Sequence, residues 1–313
     1  MAVIGFVFPG QGSQAVGMGL ELAEQFEGVR AYFERADQAL QFSLSELIFH
    51  GPQERLTLTA NAQPALLTTS IAIMSRLQQF DVKPDFVAGH SLGEYSALVA
   101  GDVLTFEDAV RIVRRRGEFM EEAVPAGLGK MAAILGLDRQ LLEETTASVS
   151  AGGNPVQLAN INSPGQIVIS GSAEGVTLAC EKAKEHGAKR AIMLDVSGPF
   201  HSSLMEPAAS KLREVFTQVS WKNASIPVIS NVHAKPITSS NEIKEKLLQQ
   251  LYSPVLWQDC VEHMIELGVD TFIEIGSGKV LSGLIKKINR AVKVYSVSNE
   301  IEIQAVVAAL KEE

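Results

Sequence analysis

Phe86-Val87-Ala88-Gly89-His90-Ser91-Leu92-Gly93 sets a short apolar run directly against a Gly-x-Ser-x-Gly sequence. The apolar triplet reads as a buried strand, and helical spacing resumes soon after Ser91. A serine carried from strand to helix through such a turn is a nucleophile elbow. The tight turn strains the serine backbone and lifts its hydroxyl above the edge of a sheet. The glycines on either side are needed because side chains there would collide across the turn. The helix that follows offers free N–H groups and the positive end of its dipole to developing negative charge. A bare Gly-x-Ser-x-Gly is a weak signal. Between a strand and a helix it outweighs the bland alternative of a serine that merely closes a turn.

Upstream, residues 3–8 form a second apolar run, ended by Pro9-Gly10, which reads as the first strand. Leu22, Phe26, Phe33, Ala36 and Leu40 recur at helical spacing and predict a helix over about 18–40. Ala65, Leu66, Thr69, Ile73 and Leu77 predict another, which Lys83-Pro84-Asp85 interrupts before the elbow strand. Strands alternating with helices specify an α/β fold, here a hydrolase-like, mainly parallel sheet flanked by helices. The middle of the chain has a different rhythm: strand 131–135, helix 140–149, strands 156–161 and 166–170, helix 174–186 and strand 190–196. That β-α-β-β-α-β order predicts an inserted ferredoxin-like subdomain. The expected division is therefore a large α/β catalytic domain, 1–127 and 198–313, interrupted by a small one, 128–197. Afterwards strand 227–230, helix 243–251 and strands 271–275 and 292–297 resume the alternation.

The bulk composition narrows the function classes. At 313 residues there is enough chain for one large domain or two unequal ones. A formal charge of −9 argues against general nucleic-acid binding, which calls for a basic face. No uninterrupted apolar run is long enough to cross a bilayer, and the first residues lack the basic region of a secretory signal. The two cysteines, Cys180 and Cys260, stand far apart without metal-like spacing and read as reduced, buried thiols. No metal is expected, and the expected compartment is the cytoplasm.

A nucleophilic serine needs a base within hydrogen-bond reach. Of six histidines, His90 belongs to the elbow but reads as a packed, hydrogen-bonded ring rather than the base. His186 and His263 fall at helical positions. His201 stands in the loop Gly198-Pro199-Phe200-His201-Ser202-Ser203, directly after the predicted insertion, and is the first candidate by position. His233, which follows a strand, is its competitor.

At this point the residues resemble a known family, the malonyl-CoA:acyl carrier protein transacylases and the related acyltransferase domains of polyketide synthases. The resemblance runs through Phe8-Pro9-Gly10-Gln11-Gly12-Ser13-Gln14, Gln63-Pro64-Ala65, the elbow, and Arg115-Arg116-Gly117. It continues in Asn162-Ser163-Pro164-Gly165-Gln166, Phe200-His201, Gln250-Leu251-Tyr252-Ser253-Pro254-Val255 and Glu274-Ile275-Gly276-Ser277-Gly278-Lys279-Val280-Leu281. Each segment alone is modest; all of them in order are specific. The resemblance implies that Ser91 is acylated and that His201 is its base, later the acid that protonates the departing thiolate. Gln11 and the Leu92 backbone N–H are implied as the oxyanion hole. Arg116 is implied as the seat of the malonyl carboxylate, and Gln250 as the residue whose carbonyl orients His201.

The implied chemistry is transfer of malonyl from malonyl-CoA, a substrate and not a cofactor, to the phosphopantetheine thiol of an acyl carrier protein, in fatty-acid or polyketide biosynthesis. No cofactor is called for. An arginine fork suits a carboxylate as a lysine would not, although Arg114-Arg115-Arg116 lies on a helix, where arginines ordinarily face solvent. Phe200 should crowd a branched α-carbon and favour malonyl over methylmalonyl. Carrier proteins are acidic, so docking would need local basic residues; Lys279, Lys286, Lys287 and Arg290, with Lys189 and Arg190, are the candidates. A monomer is the default expectation. Two other readings compete: an acyl hydrolase acting on carrier proteins, and a non-catalytic carrier-binding subunit. A conventional esterase would want an acid between Ser91 and His201 in chain order. Asp195 has that position but reads as part of strand 190–196.

Overall fold

Phe6, Val7 and Phe8 are fully buried, and successive residues of this strand belong to different cores. Phe6 and Phe8 face one large apolar cluster, Val7 another. A strand buried on both faces belongs inside a sheet covered by helices on both sides. The computed structural model describes residues 2–125 and 127–311. Met1, Ala126, Glu312 and Glu313, which the expected domain ranges include, lie outside the described residues.

In chain order the strands are β1 (Ile4–Phe8), β2 (Phe86–Gly89), β3 (Gly129–Leu135), β4 (Val156–Ser163), β5 (Gln166–Ser172), β6 (Arg190–Met193), β7 (Val228–Ile229), β8 (Pro236–Ile237), β9 (Thr271–Ile275) and β10 (Lys293–Val297). The first sheet runs β10-β9-β1-β2-β7-β8 and is parallel except for the closing hairpin strand β8. Helices Trp257–Glu266 and Val280–Ile288 cover one face. Thr59–Gln78, Leu92–Ala100 and Phe106–Ala123 cover the other.

The second sheet, β4-β5-β3-β6, is antiparallel throughout, with β5 between the helix-linked strands β3 and β4. This is the ferredoxin-like order. Its side chains alternate between two cores: Ala132, Ile134, Leu158, Ile167 and Ile169 face helices Arg139–Ala151 and Ala173–Glu185. Met131, Ala159 and Val168 face the main core of the molecule. The period of two thus makes one surface for its own helices and one for the large sheet's layer. The two halves are also stitched along the backbone, where Val255 N–H donates to Ala159 O at 2.8 Å and Ile161 N–H to Val255 O at 2.9 Å.

Two expected elements differ. The helix predicted over 18–40 is broken into Leu20–Gln25 and Glu27–Leu40 by Phe26, whose backbone is extended. The Phe26 ring lies under the Arg76 guanidinium, 4.0 Å away, a tertiary contact that periodicity does not register. Strand 190–196 ends at Met193, the last residue in ladder register with β3, and one more bond, from Leu194 N–H to Met131 O at 3.0 Å, follows it. Asp195 is therefore an exposed loop residue and not part of a strand.

Helix Thr59–Gln78 carries Pro64 in its interior. Proline cannot donate to the carbonyl four residues back. That carbonyl, Ala60 O, instead accepts from Arg114 Nη1 at 3.1 Å. The freed acceptor so ties this helix to Phe106–Ala123.

Candidate active site

The parallel strands deliver their ends to one crevice, the usual ligand site of such sheets. Gln11 follows β1, Ser91 follows β2, and Asn231 follows β7. Ser91 has φ 50° and ψ −102°, a conformation that ordinary residues avoid. The glycines make it possible: a Cβ on Gly93 would stand 2.0 Å from Phe8 O, and one on Gly89 1.9 Å from the Gly93 carbonyl carbon. The elbow is then pinned from below. Ser91 N–H donates to Asn231 Oδ1 at 2.8 Å, and Ser91 O accepts from Gln250 Nε2 at 3.0 Å.

His201 Nε2 is 2.8 Å from Ser91 Oγ, and His201 Nδ1 is 2.7 Å from the main-chain carbonyl of Gln250. A carbonyl only accepts, so Nδ1 carries the proton and Nε2 is left to take one from the serine. Burial, and secondarily the Arg116 charge, lowers the imidazole from 6.5 to about 3. His201 is thus neutral, as a base must be. No acid completes the pair, since a peptide carbonyl stands where a triad aspartate would.

Arg116 is fully buried on helix Phe106–Ala123. Its Nη1 donates to Gln63 Oε1 at 2.8 Å, and its Nη2 to Gln250 Oε1 at 2.9 Å and to Ser91 Oγ at 3.1 Å. The Nε donor has no hydrogen-bond partner among the described residues. A buried guanidinium beside a nucleophile, with a donor unspent, has the chemistry to take an anion.

Gln11 and Leu92 line the same cleft as Ser91 and His201. One Gln11 amide hydrogen goes to Thr59 Oγ1 at 3.0 Å, which leaves its other hydrogen for the cleft. Leu92 opens helix Leu92–Ala100, so its N–H has no intrahelical acceptor. Phe200 lines the wall with Met120 and Met131. Six of the seven residues singled out from sequence meet at one cavity, and Gln250 lies directly beneath, bonded to three of them.

The other five histidines are elsewhere engaged, His50 beside Glu46 at 3.9 Å. His90 Nε2 is 2.8 Å from Asn162 Oδ1, and its ring lies against Trp257. His186 meets Thr145, His233 meets Glu242, and His263 meets Glu266. Asp195 lines the cleft mouth, but the Nδ1 that a triad acid would hold is already taken.

Sequence reasoning missed Glu94 and Asn231. Glu94, 1% exposed, accepts from Gln250 Nε2 at 2.7 Å and from Asn231 N–H at 3.2 Å. Burial raises its carboxyl to about 7. Its position three residues after Ser91 was visible, but an acid in a helix's first turn ordinarily reads as a dipole partner facing water.

Against known proteins, residues 5–313 match the model of the acyl transferase domain. A malonyl CoA-acyl carrier protein transacylase of Bacillus subtilis is 59% identical over 313 residues, 100% of this chain and 99% of that protein. One from Staphylococcus aureus is 48% identical over 297 residues, 95% of this chain and 96% of that protein. Among solved structures, an acyl carrier protein S-malonyltransferase of Vibrio cholerae superposes with a TM-score of 0.95 at 45% identity, covering 97% of this chain and 100% of that one. A malonyl-transacylase solved in complex with its type II polyketide-synthase acyl carrier protein gives 0.94 at 42% identity, covering 98% and 99%.

Proposed function

The chain belongs to the acyl transferase domain family, and from that premise we propose that it moves malonyl from malonyl-CoA to the phosphopantetheine thiol of an acyl carrier protein through an acyl ester on Ser91. Ser91 Oγ attacks the thioester carbonyl while His201 Nε2 takes its proton. The tetrahedral oxyanion is held by the Leu92 N–H and the free Gln11 amide hydrogen; losing one such donor typically costs about 3 kcal/mol. Collapse breaks the C–S bond, and His201 returns its proton to the coenzyme A thiolate. The carrier's thiol then repeats the steps in reverse order. This exchange of one thioester for another draws on no cofactor, and malonyl-CoA enters only as substrate.

One observation carries the reading: the Arg116 guanidinium is 3.1 Å from Ser91 Oγ inside the molecule. An esterase acting on simple acyl groups has no use for a buried positive charge there. A donor with a free carboxylate does. Phe200 bounds the acyl side of the cleft and supports malonyl over methylmalonyl. The division into a large unit, 1–127 with 198–313, and a small one, 128–197, fits the two sheets. Carrier docking is proposed for the basic residues Lys189, Arg190, Lys279, Lys286, Lys287 and Arg290, all of them exposed, although Lys279 is already paired with Glu302 at 2.7 Å. No helix among the described residues is long and apolar enough to cross a membrane. A cytoplasmic monomer is the proposed working form.

The test is to follow covalent loading from labelled malonyl-, methylmalonyl- and acetyl-CoA, then off-loading to two carrier proteins. Stable malonyl-Ser91 that a carrier discharges supports transfer. Rapid free malonate without a carrier would instead make the protein a hydrolase. Labelling that survives Ser91→Ala would overturn the nucleophile.

A further inference from the structure

Beneath the nucleophile lies a buried charge that the transfer chemistry does not use. Glu94 has 1% exposure, and Gln250, Asn231 and Arg116 around it have none. No direct ion pair joins Glu94 to Arg116 among the described residues. Instead the Gln250 amide stands between them, its Nε2 on Glu94 at 2.7 Å and its Oε1 on Arg116 at 2.9 Å. The amide can face only this way, because a flip would set NH2 against guanidinium and oxygen against carboxylate. Its dipole is thus aligned from a negative to a positive group in a region of low dielectric.

The other titratable groups facing Glu94 do not supply charge. Cys260, from helix Trp257–Glu266, and Tyr95, from Glu94's own helix, are both pushed up by burial and stay neutral. His201, beyond Arg116, is neutral. Among the described residues the only full charge opposite Glu94 is therefore Arg116, and the proposed seat for a substrate carboxylate uses that same guanidinium, which also reaches Ser91. An incoming carboxylate and Glu94 would then share one cation, and like charges so placed favour protonation of the one that water cannot reach.

We propose that Glu94 is the internal counter-ion of Arg116, acting through the Gln250 amide, and that it takes up a proton from solvent when a substrate carboxylate engages the guanidinium. Binding of dicarboxylic acyl donors is then linked to proton uptake, and binding of acetyl donors is not. Glu94 is a positioning residue here: it touches no substrate and sets the charge of the group that does. The inference rests on the proposed reading of Arg116 as the carboxylate's seat.

Titration calorimetry of the Ser91→Ala protein at pH 7, in buffers of differing ionisation enthalpy, reads the linkage directly. The expected result is uptake of up to about half a proton per malonyl-CoA, and none per acetyl-CoA. In the wild type, KM for malonyl-CoA should rise severalfold between pH 6 and 8.5 while KM for acetyl-CoA stays flat. Glu94→Gln, which keeps the acceptor and removes the charge, should flatten the malonyl profile near its low-pH value. No proton uptake, equal uptake with acetyl-CoA, or a Glu94→Gln profile parallel to the wild type overturns the proposal. A wild-type protein that forms no malonyl ester at any pH overturns the functional reading and this one with it. An ester that forms with a pH-independent KM overturns this one alone.

Discussion

An imidazole serves as a base only while it is neutral, and the same burial that keeps His201 neutral gives the fold a pH signature. Its folded value of about 3 lies below the ordinary 6.5, so between these the unfolded chain binds more protons and stability falls as pH drops. Glu94 has the opposite sign. Its folded value of about 7 lies above the ordinary 4.5, so between these the folded protein binds more protons and stability falls as pH rises. Each tenfold change in proton affinity is worth about 1.4 kcal/mol, so each effect is at most a few kcal/mol. Thermal melts from pH 4 to 8 should show that His201→Gln has lost the acid-side decline and Glu94→Gln the neutral-side one. Parallel profiles for wild type and His201→Gln would mean that the ring is not held neutral. Arg116→Lys replaces a planar fork by a point charge and leaves the Gln63 or Gln250 oxygen short of a donor. Malonyl over acetyl preference in acyl-enzyme formation should fall roughly 10- to 100-fold, the value of about 1.5–3 kcal/mol for hydrogen bonds to a charged group. An unchanged preference would remove Arg116 from substrate recognition.

At the scale of elements, the site is made by close approaches. Gly117 follows Arg116 in its helix, and a Cβ there would stand 2.7 Å from Ala60 Cα on helix Thr59–Gln78. Gly117→Ala should push these helices apart and displace the guanidinium. Loading with malonyl should then suffer more than loading with acetyl, alongside a loss in Tm corresponding to about 1–3 kcal/mol. Equal loss for both donors would show that the crossing does not position Arg116. The elbow itself was readable from residues 86–93, because its glycines and strand-to-helix setting are local. The break at Phe26 and the early end of β6 were not. Both depend on partners distant in sequence, the Arg76 guanidinium in one case and the limit of the β3 ladder in the other.

Across the whole molecule, the second sheet reaches the base. Gln157 on β4 donates from Nε2 to His201 O and to Tyr252 O, both at 3.2 Å, and accepts from Ser203 N–H at 3.0 Å. His201 itself has φ 58°, a left-handed backbone that an ordinary residue keeps only when its surroundings hold it. Gln157→Ala should therefore lower kcat on the order of tenfold and leave KM nearly unchanged, as measured by steady-state malonyl transfer. A KM effect with kcat intact would place Gln157 in binding instead.

Alternation of strands and helices, the elbow motif and the order of motifs along the chain were determined by sequence alone, since periodicity, turn sterics and spacing are properties of neighbouring residues. Only the tertiary structure decided that a helical arginine points inward to the serine, that a main-chain carbonyl rather than an aspartate holds His201, and that Glu94 is sealed beneath them. Those outcomes depend on which groups from four separate segments exclude water together, and desolvation is a property of the assembled interior that no local stretch encodes.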